Sequence, residues 1–330
     1  MKILISNNHL DTIGGSETFT FALIAEIKRR GHEVEYFTFR RGIVSELIEK
    51  ELNVKYMASN RYDLILANHN STVAALWEFG LIIQTCHGIF PYIEQPSIYA
   101  DGYVAISEEV QKHLALKEIP SIIIHNGIDL VRFSPKKEVN KNLKRIASFC
   151  QSDVANEKVE AACKILDIEY IRVDKFKDTI WSIEDLINDV DLVVGLGRSA
   201  YDAIACGRPV VVFDERSYLS NMADGYLTPI IGSSIKFNCS GRCYQDAYDV
   251  QDLVQEFLKY NPKDSFELRK FAETNLDIVK NVDEYMKFYT VLATKKVKQN
   301  LKREIRNWDS LLNTRLFKKV YSRVSKNNIF

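Results

Sequence analysis

Gly195, Gly197, Arg198, Ser199 and Asp202 fall within eight residues of one another, inside the stretch VVGLGRSAYDAIACGRPVVVFD that runs from 193 to 214. Together these residue types suit the binding of a diphosphate and a ribose. A glycine turn leading into a helix N-terminus presents free backbone N–H groups and the positive end of the helix dipole to an anion. Arg198 adds a fixed charge whose planar fork matches phosphate oxygens. Asp202, in the first turn, can accept hydrogen bonds from sugar hydroxyls. Ser199 is placed to cap that helix, with Asp202 three residues on as its capping-box partner. The spacing alone is common at strand–helix junctions.

The elements that must hold these residues can be read from the flanks. Residues 191–194 are a short apolar run of the kind buried in a parallel sheet. Gly207 stands where a helix ends in a left-handed residue. Pro209 then opens a second strand, Val210-Val211-Val212-Phe213, as proline can at a first strand position. The unit is strand, glycine turn, helix, strand.

A similar unit opens the chain. Ile3-Leu4-Ile5 reads as a strand, followed by a polar turn and Gly14-Gly15-Ser16-Glu17. A helix follows with Phe19, Leu23 and Ile27 on one face. Gly31 ends it, and 34–39 alternates as a strand. This is a βαβ unit with a glycine pair at its helix start, without the G-x-G-x-x-G dinucleotide fingerprint. Residues 43–57 read as helix and strand, 62–67 as a strong strand leading into Asn68-His69-Asn70, and 81–86 as a strand ending at His87-Gly88. Strand C-termini are where open α/β sheets place ligands, and His87 is the preferred of the six histidines. Phe90, Pro91 and Tyr92 follow and suit an acceptor surface. Residues 102–107 form a strand whose Ser107 caps the next helix, and Asn126-Gly127 is a turn pair. Residues 134–142 read as a linker. Beyond it come strand 145–149, helix 160–166, strand 170–173, helix 183–187, a loop around Asn238-Cys239-Ser240, and helices over 250–258, 265–275 and 282–293.

Taken in order, these motifs resemble family-4 glycosyltransferases over roughly residues 2–214. The family pattern E-A-x-A-x-G-x-P-V is similar to Asp202-Ala203-Ile204-Ala205-Cys206-Gly207-Arg208-Pro209-Val210. Its G-G-x-E and G-H-x-V are similar to Gly14-Gly15-Ser16-Glu17 and Gly31-His32-Glu33-Val34. Its P-N-G-[VI]-D is similar to His125-Asn126-Gly127-Ile128-Asp129. The sequence departs from the pattern where Asp202 replaces the usual Glu and Val194 replaces the companion Glu that contacts the donor sugar. No Arg stands in Phe149-Cys150-Gln151-Ser152-Asp153. The resemblance implies a GT-B fold: α/β, two facing Rossmann-like domains, with a C-terminal helical extension. It also implies a retaining, metal-independent, hexosyltransferase-type glycosyltransferase, using a UDP- or GDP-linked sugar and no cofactor. By that resemblance Asp202 binds the donor ribose, His87 faces the transfer site, and Gly14, Gly15, Glu17, His87 and Tyr92 lie on the acceptor side. Gly15, Gly197, Arg198 and Ser199 flank the donor, with Lys158 as a stand-in for the family's phosphate-binding lysine and Arg198 as the replacement for its arginine.

At 330 residues, 46% apolar and 27% charged, the chain has a globular balance. The expected domains are 1–137, on the acceptor side, 138–290, binding the nucleotide sugar, and a basic amphipathic tail over 291–330. Within 295–330 eleven Lys/Arg face two Asp/Glu, although the whole chain is formally neutral. Leu301, Ile305, Trp308, Leu312, Leu316 and Val320 recur there at three- and four-residue intervals. Such a segment suits an anionic membrane surface, or packing against the first domain; it carries no nucleic-acid motif. Six scattered cysteines indicate neither zinc nor a disulfide framework and fit a reducing compartment. The N-terminus is too short an apolar run for a signal peptide. The expectation is therefore a cytoplasmic enzyme, peripheral on the inner membrane face, that transfers a sugar to a saccharide or lipid-linked saccharide in polysaccharide or glycan assembly. A non-catalytic nucleotide- or saccharide-binding relative and a nucleotide-sugar epimerase are the alternative classes.

Overall fold

The computed structural model describes residues 1–174, 180–216 and 219–294. Residues 1–287 form one compact unit. The expected amphipathic tail over 295–330 lies outside the described residues. Among the described residues no helix is long and apolar enough to cross a membrane.

The first part of the chain contains β1 (Lys2–Ser6), β2 (His9–Leu10), α1 (Gly15–Arg29), β3 (Glu33–Phe37), β4 (Arg40–Arg41), α2 (Ile43–Leu52), β5 (Lys55–Tyr56), β6 (Leu64–Ala67), α3 (Asn70–Leu76), β7 (Leu81–Cys86), β8 (Gly102–Ala105), α4 (Glu108–Ala115) and β9 (Ile122–Ile123). Seven of these strands form one sheet in the order β5-β3-β1-β6-β7-β8-β9, all parallel. The second part contains β10 (Arg145–Ser148), α5 (Asp153–Ile165), β11 (Glu169–Arg172), α6 (Ile183–Asn188), β12 (Leu192–Val194), α7 (Arg198–Ala205), β13 (Val210–Arg216), β14 (Leu219–Tyr226), α8 (Ile231–Ser234), α9 (Val250–Leu258), α10 (Asp264–Asn275) and α11 (Ile278–Thr294). Its sheet runs β11-β10-β12-β13-β14, parallel except for β14, which pairs antiparallel with β13.

Both sheets are Rossmann-like for a reason visible in the strands. Ile3, Leu4 and Ile5, like Leu192, Val193 and Val194, are fully buried. Helices cover both faces of such strands, so the sequence shows continuous apolar runs rather than alternation. Each sheet reverses its strand order once, between β1 and β6 and between β10 and β12. These reversals open a crevice at the strand C-termini, the usual ligand position in open α/β sheets.

Three features fall outside the sequence-based expectation. α5 starts at Asp153 rather than near 160, because Ser152 accepts a hydrogen bond from the Ala155 N–H at 3.3 Å and caps it. β13 continues to Arg216 and turns back as β14. After the second sheet the chain returns to the first: Ile128 exchanges backbone bonds with Leu276 and Ile278, and Tyr285 shares a hydrogen bond with Thr85 at 2.8 Å.

Candidate functional site

The α7 turn is built as expected, except for its cap. Gly197, not Ser199, occupies the N-cap position, and neither residue makes a side-chain cap bond. The cause is backbone geometry: Gly197 sits at φ +55, which glycine adopts without strain. Its N–H reaches the Cys239 carbonyl at 2.8 Å. Ser199 therefore falls inside the first turn, and Asp202 takes a different partner. Arg198 Nε donates to Asp202 Oδ1 at 2.8 Å, and Arg198 Nη1 donates to the Gly127 carbonyl at 3.3 Å. Both side chains of the pair are about nine-tenths buried. Burial raises the Asp202 carboxyl above its ordinary value, and Arg198 opposes the rise.

Lys158 does not join this group. Its ammonium is held by Glu215 and by the Tyr248 carbonyl, outside the cavity lining. The N-terminus of α5 is also occupied. The Asp214 carboxylate, 1% exposed, accepts hydrogen bonds from the Gln151 and Ser152 N–H groups at 3.2 and 3.4 Å and from Arg216 Nε at 3.0 Å. Val194 faces the core with Cys150, Val159 and Phe213, so this strand offers the cavity no acid at that position.

On the other side, the α1 start packs against α7. A Cβ on Gly15 would lie 3.2 Å from the Arg198 Cβ, and a Cβ on Gly14 would overlap the Glu17 carboxylate. The glycine pair thus lets Glu17 fold back to meet His9 Nε2 at 2.7 Å. That bond raises the His9 pKa. His69 and His87 go the other way, because burial pushes them down to about 3 and about 4.

A hydrogen-bond chain sets the His87 tautomer. The Thr20 hydroxyl donates to the Ser16 carbonyl at 2.7 Å. It accepts from Asn7 Nδ2 at 3.0 Å and from Asn68 Nδ2 at 2.8 Å. Asn68 therefore turns its Oδ1 to His87 Nε2, 3.1 Å away. A neutral imidazole next to an acceptor carries its proton on that nitrogen, which leaves Nδ1 as a lone-pair acceptor.

A cavity of about 650 Å³ collects these groups. Its lining includes Gly14, Gly15, Glu17 and His87 from the first sheet's side, and Gly197, Arg198, Ser199 and Asp202 from the second. Tyr92 is not part of the lining and is 82% exposed; its neighbours Phe90, Pro91 and Glu94 are. Sequence reasoning missed Glu94, Arg132, Trp181 and Arg242. Arg132 lies 4.4 Å over the Trp181 ring and pairs with Glu184 at 3.1 Å. Arg242 forks onto Glu109. Arg132, Trp181 and Arg242 each depend on a partner at least 49 residues away in sequence, so no local pattern marks them. Among the described residues no cluster of His, Cys, Asp or Glu could hold a metal ion. All six cysteines are free, and five are buried.

No family model and no curated protein matches this sequence. Solved structures do match the fold. A glycosyltransferase from Rickettsia africae ESF-5 aligns over 89% of this chain and 99% of its own, at 16% identity and a TM-score of 0.63. AviGT4, a glycosyltransferase involved in avilamycin A biosynthesis, aligns over 89% of this chain and 98% of its own, at 16% identity and a TM-score of 0.54. An alpha-glucosyltransferase in complex with UDP and a 13-mer DNA containing a HMU base aligns over 88% and 99%, at 12% identity and a TM-score of 0.52. The fold is GT-B, the two-sheet architecture of these glycosyltransferases.

Proposed function

We propose that this chain is a glycosyltransferase that moves a sugar from a nucleoside-diphosphate sugar to a saccharide acceptor. The observation that carries this reading is the meeting of two glycine turns, Gly14-Gly15 and Gly197, across one cavity that also holds Asp202, Arg198 and a neutral His87. The diphosphate would lie at the α7 N-terminus, where backbone N–H groups and the dipole favour an anion. Arg198 would turn its guanidinium to the phosphates, and Asp202, released, would accept the ribose hydroxyls. As the glycosidic bond breaks the diphosphate gains charge, so these groups stabilise the transition state more than the ground state. His87, neutral and held by Asn68, would offer Nδ1 to a sugar hydroxyl.

The donor nucleotide is UDP or GDP in this reading; the alpha-glucosyltransferase among the structural matches is in complex with UDP. Retention of configuration, independence from metal and membership of family 4 are part of the same proposal, supported by the motif order. A peripheral membrane position through the basic segment 295–330 and a lipid-linked acceptor rest on sequence alone. Deleting 296–330 would then weaken binding to anionic vesicles, and unchanged binding by a folded truncation would remove that part.

The decisive experiment is a thermal-shift and turnover panel of UDP-, GDP- and CMP-sugars, with and without Mg²⁺. A metal-independent shift and release of one nucleoside diphosphate support the proposal. Binding without turnover favours a second reading, a non-catalytic nucleotide-binding relative, which the burial of Val194 in the core also favours.

A further inference from the structure

One ionisable group in the cavity wall has no role in the reading above. Glu94 ends a short 3-10 turn, Tyr92–Glu94, and lines the cavity. Its carboxyl has no hydrogen bond or ion pair among the described residues. A partly buried carboxylate ordinarily has a partner, so its isolation needs an explanation. The charged groups that bear on it are Arg242, from the loop between α8 and α9, and Glu17, from α1. Arg242 is already held by Glu109 through both arms of its fork and lies 5.6 Å over the Phe90 ring. Glu17 is paired with His9. On its inner side Glu94 Oε2 presses on Gly88, where a Cβ would overlap it. The carboxyl therefore lies beside the residue that follows His87. The cavity is its open side.

We propose that Glu94 accepts a hydrogen bond from a hydroxyl of the acceptor saccharide, whose apolar face rests on Phe90. The inference rests on the glycosyl-transfer reading and adds to it the chemical class of the acceptor. Glu17 is already paired with His9 and Arg242 with Glu109, so the Glu94 carboxyl is the charge this wall leaves unbalanced. The subsite therefore takes a neutral sugar and excludes a uronic acid or a phosphorylated sugar at that position. An aromatic ring beside planar polar groups is a suitable surface for a sugar, which has C–H faces and a hydroxyl rim.

The charge state of Glu94 gives a second readout. Burial lifts its carboxyl to about 7, against the pull of Arg242 and with a push from Glu17. The other titratable neighbours stay neutral there: Cys86 is pushed up to about 12 and His87 down to about 4. Ionised Glu94 is the better acceptor, so the acceptor KM falls as pH rises through 7.

The test measures nucleoside diphosphate release from the UDP- or GDP-sugar that binds, with methyl glycosides of neutral hexoses and of glucuronic acid as acceptor probes. Wild type is compared with Glu94→Gln, which keeps the shape of the side chain, and with Glu94→Ala. The expected result is a neutral-hexose KM raised about tenfold or more in Glu94→Gln, loss of its dependence on pH near 7, and an unchanged Kd for the nucleoside diphosphate. Glucuronide is a poor acceptor for wild type and gains relative to hexose in the variant. Unaltered acceptor KM and pH dependence in Glu94→Gln and Glu94→Ala overturn the inference while leaving glycosyl transfer in place. Failure of wild type to transfer from any donor overturns the glycosyl-transfer reading, and this inference with it.

Discussion

The two walls of the cavity hold their polar groups in different ways. On the wall built by β1, α1, β6 and β7, uncharged hydrogen bonds do most of the work: Ser16, Thr20, Asn7, Asn68 and His87 form a chain in which each interior donor has an acceptor. On the wall built by β12, β13 and α7, charges neutralise one another: Arg198 with Asp202, and Arg216 with Asp214. The first arrangement is satisfied within the protein and needs no ligand to complete it. The second is a set of ion pairs whose members can exchange partners when an anion arrives. A fixed wall suits a hydroxyl acceptor, which must be oriented, and an exchangeable wall suits a diphosphate, whose charge must be met.

The largest effect is expected from breaking the exchangeable wall at its most buried pair. Arg198→Ala leaves the Asp202 carboxylate buried without its cation, and removal of one partner of such a pair costs about 3 kcal/mol. Denaturant unfolding of Arg198→Ala and of Arg198→Met/Asp202→Leu measures it, and the double variant recovers much of the loss. Equal loss in both would mean that the pair is not a unit. On the fixed wall, Thr20→Val leaves the Asn7 and Asn68 amides without their common acceptor. The expected cost is about 2 kcal/mol, together with a change in the His87 ring-nitrogen shifts, read by NMR, as its tautomer is released.

Acidification sharpens the comparison further. His69 and His87 are neutral in the fold down to about 3 and about 4 but titrate near 6.5 when unfolded. Between those values the unfolded chain binds more protons, so their contribution to stability is lost as pH falls below about 6.5. His9, raised by Glu17, runs in the opposite sense: its contribution is present below about 6.5 and is lost as pH rises through its folded value. His9 is protonated in both states below about 6, so the two buried imidazoles set the slope: a loss of about 2 kcal/mol per pH unit between roughly 6 and 4, checked by thermal unfolding across that range. A flat profile would place the two imidazoles in contact with solvent. The smallest effect belongs to Lys158→Met. Its ion pair is partly exposed, worth under about 1 kcal/mol, and the nucleotide Kd stays within twofold.

Much of this was legible from the sequence where the signal is local. The central strands β1, β6 and β12 carry continuous apolar runs, and β7 spans the residues that the pattern predicts. The Gly14-Gly15 and Gly197 turns and the end of α7 at Gly207 follow from what only glycine does easily in the backbone. Legibility ends where a residue's role depends on a distant partner. Lys158 carries the right charge but is held by Glu215, which lies 57 residues on. Ser199 has the right type for a cap, yet the tilt of Gly197 moves the helix start ahead of it. Tyr92 points attention to the right turn, but Glu94, two residues on, is the one that reaches the cavity, and nothing in its sequence neighbourhood distinguishes it from a solvated acid.

The central claim is that the α7 wall receives a nucleoside diphosphate by opening the Arg198–Asp202 pair. The most direct measurement is calorimetric titration of UDP and GDP into wild type, Asp202→Ala and His87→Ala, in EDTA. The account predicts that one of the two nucleotides binds wild type without metal, that Asp202→Ala weakens it at least tenfold, and that His87→Ala leaves it within twofold. Absence of binding by both nucleotides, or equal affinity in wild type and Asp202→Ala, would contradict it.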